Sequence, residues 1–254
     1  MLELKNITKV YNQGLITESC LLQDFSLTVK DGEFVSIVGS NGSGKTSMLN
    51  IICGSIPLDG GDVLVDGKSI RKQRDFQRYA SIGRVYQNPA LGTCPNLTML
   101  ENLSLADNKG KRFGLSQGVN KKRVDFYRSE LAGLGLGLED KLDIKMGALS
   151  GGQRQAVALL MATLTPLKFL ILDEHTAALD PKTAETIMVL TGKVVKEKGL
   201  TAMMVTHNLR YALEYGDRLL MLDRGKIVVD RAGEEKTKMT TEEILQVFGQ
   251  LSMQ

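Results

Sequence analysis

The 254-residue chain contains no run approaching the ~18 to 20 consecutive apolar residues that a membrane-spanning helix needs. Its start, MLELKNITKVY, lacks a basic region followed by an apolar segment, so it does not read as a signal peptide. An excess of one charge is missing too: 32 Lys and Arg face 29 Asp and Glu, a net +3 that is too small to imply nucleic acid. Cysteine is limited to Cys20, Cys53 and Cys94, odd in number and without a CxxC pair. That excludes a disulfide framework and a sulfur-bound zinc, and leaves reduced, mostly buried thiols. Repeats and low-complexity linkers are absent. What remains, 43% hydrophobic and 24% charged, suits a chain that buries a core and stays in the cytosol. Basic clusters at Arg71, Lys72, Arg74 and Arg78, and at Lys109, Lys111, Arg112, Lys121, Lys122 and Arg123, read as solvated faces.

Alternation at Leu2, Leu4, Ile7, Phe25, Leu27 and Val29 predicts antiparallel strands with one buried face, ending at Asp31-Gly32. The apolar run Phe34-Val35-Ser36-Ile37-Val38 predicts a buried strand entering a glycine-rich loop and a helix from Lys45 to about Cys53. A hairpin at 61–67 and strands at 82–86, 169–172 and 202–205 follow, the last two as interior strands of a parallel sheet. Asp180-Pro181 opens a helix whose apolar face includes Ala184, Ile187, Met188 and Val195, making a βαβ crossover. Residues 88–149 have helical spacing and read as a helical insert. Thr240 and Glu243 form a capping box, with Met239 and Ile244 at the staple positions, so a short helix closes the chain.

Gly39-Ser40-Asn41-Gly42-Ser43-Gly44-Lys45-Thr46 matches G-x-x-x-x-G-K-[ST] between a buried strand and a helix. A random chain of this length shows the pattern about one time in a hundred. Backbone amides and the helix N-terminus suit phosphates, Lys45 reaches the terminal ones, and the Thr46 hydroxyl ligates Mg²⁺. Four apolar residues before Asp173-Glu174 place two carboxylates at the carboxyl end of a strand, where α/β sheets bind ligands. There Asp173 suits Mg²⁺ and Glu174 suits proton abstraction from the attacking water. Leu149-Ser150-Gly151-Gly152-Gln153 is a second glycine motif at a helix start. A plain capped helix explains Ser150 and Gln153 but not two first-turn glycines, each of which costs roughly 0.5 to 1 kcal/mol relative to Ala.

These motifs, with Gln87, Ala178-Leu179-Asp180 and His207, occur in the order of the ATP-binding cassette (ABC) ATPases, which the chain resembles from about residue 2 to 230. The resemblance implies an α/β phosphate-loop NTPase core with a mainly parallel central sheet and an antiparallel β-subdomain (1–87 and 150–230). It also implies a helical subdomain at 88–149 and a helical tail at 231–254. ATP and Mg²⁺ are the implied cofactors. Tyr11 would stack on adenine, Ser47 would extend the phosphate contacts, Gln87 would contact Mg²⁺ and the attacking water, and His207 would contact the γ-phosphate. Asp180 and Ser150 to Gln153 would meet nucleotide on a second copy, so that two copies close head to tail. Relatives often have serine where this chain has Ala177, which removes any contact by that hydroxyl; His175 stands where many carry proline and is given no catalytic role.

The resemblance to bacterial importer ATPases extends to Cys94-Pro95-Asn96-Leu97-Thr98-Met99-Leu100-Glu101-Asn102-Leu103 in the insert after Gln87, the expected docking surface for a transmembrane permease. An amino acid or related small solute, an extracytoplasmic solute-binding protein, and a place on the inner face of the cell membrane follow as expectations. The alternative is a soluble ABC ATPase without a transport role, such as a scaffold ATPase for iron-sulfur cluster assembly.

Overall fold

The computed structural model describes residues 1–111 and 118–252. In chain order its elements are β1 (Leu2–Tyr11), β2 (Ser19–Val29), β3 (Phe34–Gly39), α1 (Lys45–Cys53), β4 (Gly60–Val65), β5 (Lys68–Ser69), α2 (Asp75–Arg78), β6 (Ile82–Val85), α3 (Met99–Asp107) and α4 (Val124–Ala132). They continue with α5 (Gly151–Ala162), β7 (Phe169–Asp173), α6 (Pro181–Glu197), β8 (Ala202–Val205), α7 (Leu209–Glu214), β9 (Arg218–Asp223), β10 (Lys226–Ala232), α8 (Glu234–Thr237) and α9 (Thr241–Ser252). Two compact units result: Met1–Arg78 with Gly199–Gln254, and Tyr79–Lys198.

In the first unit, the predicted alternation produces an antiparallel sheet in the order β2-β1-β4-β5. Leu4 lies opposite Leu27, and Leu2, Ile7, Phe25 and Val29 are buried with them. Asp66 and Gly67, with φ of 51° and 71°, turn β4 into β5, a pair of positive φ values matched to hairpin twist. The continuous apolar strands β3 and β8 are buried throughout. β3 runs parallel to both β8 and β9, Ile37 facing Val205 on one side and Leu220 on the other, and β10 pairs antiparallel with β9. The carboxyl ends of β3, β8 and β9 therefore share one edge. The C-terminal capping box is present, Thr240 N–H donating to Glu243 at 2.9 Å and Glu243 N–H to Thr240 Oγ1 at 3.3 Å. It aims Ile244 and Met239 into a core of Val38, Ala212, Leu219 and Met221, and burial of Ile244 contributes roughly 2 kcal/mol.

Two expectations need correction here. Arg78 is buried, not solvated: its Nη1 donates to the Ile51 and Ile52 carbonyls at 2.8 and 3.0 Å, near the negative end of α1. Among the thiols only Cys53 is buried; Cys20 lies at the exposed end of β2, and Cys94 is in the loop before α3.

In the second unit, β6 and β7 are parallel, Val85 opposite Leu172. Thr98 caps α3 reciprocally with Glu101, whose amide donates to Thr98 Oγ1 at 3.2 Å. The side chain of buried Asn102 holds the preceding loop through the amide and carbonyl of Cys94 at 2.7 and 3.1 Å. Further members of the basic clusters have structural partners: Lys109 donates to the Ile82 carbonyl at 2.9 Å, Arg123 and Lys111 pair with Asp107 at 2.7 and 3.6 Å, and in the first unit Arg71 donates to the Gly61 carbonyl at 2.7 Å. Arg112 lies outside the described residues. Asp180 caps α6 by accepting from Thr183 N–H at 3.1 Å, Pro181 opens the helix, and Ala184, Ile187, Met188 and Val195 are buried along it.

Candidate functional site

The first unit carries the phosphate loop at the exit of β3. Gly44 has φ 101° and stands at the cap of α1 with no side-chain cap, so the helix start relies on backbone groups alone. Lys45 is 5% exposed, and its Nζ donates to the carbonyls of Gly39 and Ser40, both at 2.8 Å, and to Ser43 Oγ at 3.3 Å. Burying an ammonium is tolerated only with such partners, so the loop is wound around its own cation. Ser40 Oγ donates to Asp223 at 3.1 Å, and Gly225 N–H to the Ser43 carbonyl at 3.0 Å, tying the loop to the β9–β10 turn. Asn41, Gly42 and Thr46 are exposed and Ser47 is half-buried.

His207 leaves β8 at the same edge. Thr206 N–H donates to the Ile37 carbonyl at 3.1 Å, His207 is exposed, and Asn208 caps α7 by accepting from Tyr211 N–H at 3.2 Å. Tyr11 ends β1 with 37% exposure, the Lys9 ammonium 5.4 Å from its ring centre.

The second unit carries the acids. Parallel pairing of β6 and β7 brings Gln87, exposed just past Val85, to the same edge as Asp173 and Glu174. Glu174 has φ 50°, an unusual conformation for a long side chain and one found at functional turns. Asp173 Oδ2 is paired with Arg84 Nη2 at 2.6 Å, the two side chains 13% and 6% exposed. The sequence reading missed Arg84; the signal was a charge inside the otherwise buried strand Ile82-Gly83-Arg84-Val85. Next to the acids, His175 is 1% exposed, and burial pulls its pKa down to about 4.

The second glycine motif divides on inspection. Ser150 and Gln153 form a full capping box, Gln153 N–H donating to Ser150 Oγ at 3.3 Å and Ser150 N–H to Gln153 Oε1 at 3.2 Å. A methyl group on Gly152 would overlap Thr183 Cγ2, so packing of α5 against α6 accounts for that glycine. On Gly151 it would meet only Leu179 Cδ2 at 3.4 Å. Gly151 alone is left without a packing reason. Asp180 is exposed, and hydrogen bonds from Thr183, its hydroxyl first and then its amide, hold the carboxyl below its ordinary pKa.

Thr46 in the first unit, and Gln87 and Asp173 in the second, are each oxygen donors of the kind Mg²⁺ takes, one or two carboxylates with the shell completed by water and phosphate. Among the described residues there is no group of three or more His, Cys, Asp or Glu that could hold a metal ion.

The family model described as ABC transporter matches residues 22–177. The chain is 47% identical over 248 residues to the tyrosine transport ATP-binding protein of Clostridioides difficile (strain R20291), covering 98% of both chains. It is 32% identical over 230 residues to the glutamine transport ATP-binding protein GlnQ of Geobacillus stearothermophilus, covering 90% of this chain and 91% of that one. A solved dimeric structure of a post-hydrolysis state of the ATP-binding cassette MJ0796, bound to ADP and Pi, superposes with a TM-score of 0.77 at 35% identity over 91% of this chain and 98% of that one.

Proposed function

Since this chain belongs to the ABC transporter family of ATP-binding proteins, we propose that it is the ATP-hydrolysing subunit of an importer for an amino acid or a related small solute. The 47% identity with the tyrosine transport protein, over 98% of both chains, carries this reading.

ATP presents its terminal phosphates to the loop 39–46, where Lys45 exchanges the Gly39 and Ser40 carbonyls for phosphate oxygens. Tyr11 stacks on the base. Thr46, Gln87 and Asp173 would hold Mg²⁺, which would supply charge neutralisation on the phosphates. Glu174 takes the proton of the attacking water, and Gln87 and His207 orient that water. The capped start of α5 offers the amides of Gly151 and Gly152 to the γ-phosphate of nucleotide on a second copy. Two copies thus close head to tail around two ATP, Asp180 lying at their contact, and loss of the γ-phosphate removes the ligand that held them.

The partner in the membrane is a permease, the pathway that an ATP-binding subunit similar to the tyrosine and glutamine transport proteins would drive; no helix among the described residues is long and apolar enough to cross a bilayer. Its docking place is in 88–149, beside a cavity of about 370 Å³ lined by Tyr79, Tyr86, Pro89, Leu105 and Lys109, with Leu91 exposed nearby. The chain then works on the inner face of the membrane, supplied by a solute-binding protein on the other side. Reconstitution into vesicles with a candidate amino-acid permease and its binding protein tests this. ATP-dependent uptake of an amino acid, abolished by Lys45→Ala together with nucleotide affinity, is the expected result. Hydrolysis without permease association would refute the transport role.

A further inference from the structure

Arg84 is a full charge inside a strand whose other members are an isoleucine, a glycine and a valine. A charge placed there is tolerated only with a partner of opposite sign. The register supplies one: Arg84 faces Ile171 across the β6–β7 ladder, so Asp173 lies two residues further along the same face. The contact is 2.6 Å and engages Oδ2, and the guanidinium also sits 4.7 Å from the centre of the Tyr86 ring.

We infer that Arg84 is an internal counter-cation that competes with magnesium for Asp173, so that the ion binds together with nucleotide phosphates and not ahead of them. This rests on the proposed role of Asp173 as the magnesium carboxylate. With one oxygen engaged and its charge offset, Asp173 attracts a divalent ion weakly by itself. A dication brought to the other oxygen meets a like charge a few ångströms away, and only the additional negative charge of phosphates outweighs that repulsion. The side chain has room to move when the ion arrives, since Arg84 is among the residues lining the cavity of about 370 Å³ with Tyr86 and Leu105.

The test is the ratio of affinities for a nonhydrolysable ATP analogue with and without Mn²⁺, read by calorimetry on the intact protein. Arg84→Gln removes the competing charge and is expected to raise that ratio at least about tenfold. Arg84→Lys keeps the charge and is expected to stay within about twofold of the parent. In Arg84→Gln with Asp173→Asn the gain disappears. A purely structural arginine would lower the melting temperature without moving the ratio. An unchanged or smaller ratio in folded Arg84→Gln overturns this inference alone, as does a tenfold change in Arg84→Lys should the glutamine variant not fold. Failure of the parent protein to bind the analogue overturns the ATPase reading and this inference together.

Discussion

His175 shows how one residue can tie stability to pH beside Glu174, the proposed general base. Its Nε2 lies 3.0 Å from Thr191 Oγ1, whose single proton goes to the Ile187 carbonyl at 2.7 Å. Nε2 therefore carries the ring proton and donates it, and the imidazole is neutral. In the unfolded chain the group titrates near 6.5, in the folded chain near 4. Between those values the unfolded state binds more protons, so stability rises with pH: the penalty is complete below about 4 and gone above about 6.5. Its size is about 3 kcal/mol. Urea midpoints measured across that window are expected to climb in the parent and to lose this part of the slope in His175→Gln. Glu174 is tested differently. Glu174→Gln keeps the side-chain shape and is expected to bind ATP normally while phosphate release falls at least about 100-fold, the range for loss of a general base.

At the scale of elements, the start of α5 shows what a motif conceals. The string Leu149 to Gln153 reads as an anion site because two glycines seem wasteful in a helix, yet one of them is required by Thr183 on α6. Gly152→Ala is expected to destabilise the protein by about 1 to 3 kcal/mol through overpacking, measured by denaturant unfolding, and Thr183→Ala should restore most of the loss. Gly151→Ala should leave unfolding within about 1 kcal/mol of the parent, the ordinary helix range. The capping boxes at Ser150 and Thr240, the hairpin at Asp66-Gly67 and the Asp180-Pro181 helix start were legible because local sequence sets local geometry. The capping role of Arg78, the pairing of Arg84 with Asp173 and the exposure of Cys20 and Cys94 were not, because each depends on which strand or helix end comes to lie beside it.

Across the whole molecule, the chemistry was more legible than the geometry that serves it. Phosphate loop, acids and His207 each follow a buried strand, and the period of the apolar residues fixes where those strands end. What pattern alone does not reveal is that the loop grips its own lysine through Gly39 and Ser40, bonds that nucleotide would replace in the proposed role of Lys45. The proposed clamp adds a second condition, that the α5 amides meet a γ-phosphate bound by another copy. Ser150 controls that approach: it is exposed, and its hydroxyl is engaged by Gln153 N–H at the very start of the helix. In Ser150→Arg, a bulky cation replaces the cap and fills the approach while 39–46 stays intact, so ATP affinity is expected to hold within about twofold as closure fails. Size-exclusion chromatography with ATP and magnesium should therefore give a dimer for Glu174→Gln and a monomer for Glu174→Gln combined with Ser150→Arg. A loss of about 1 kcal/mol from the cap leaves the fold intact, so the monomer would report on the interface. A dimer from the double variant would place the γ-phosphate contact somewhere other than the start of α5.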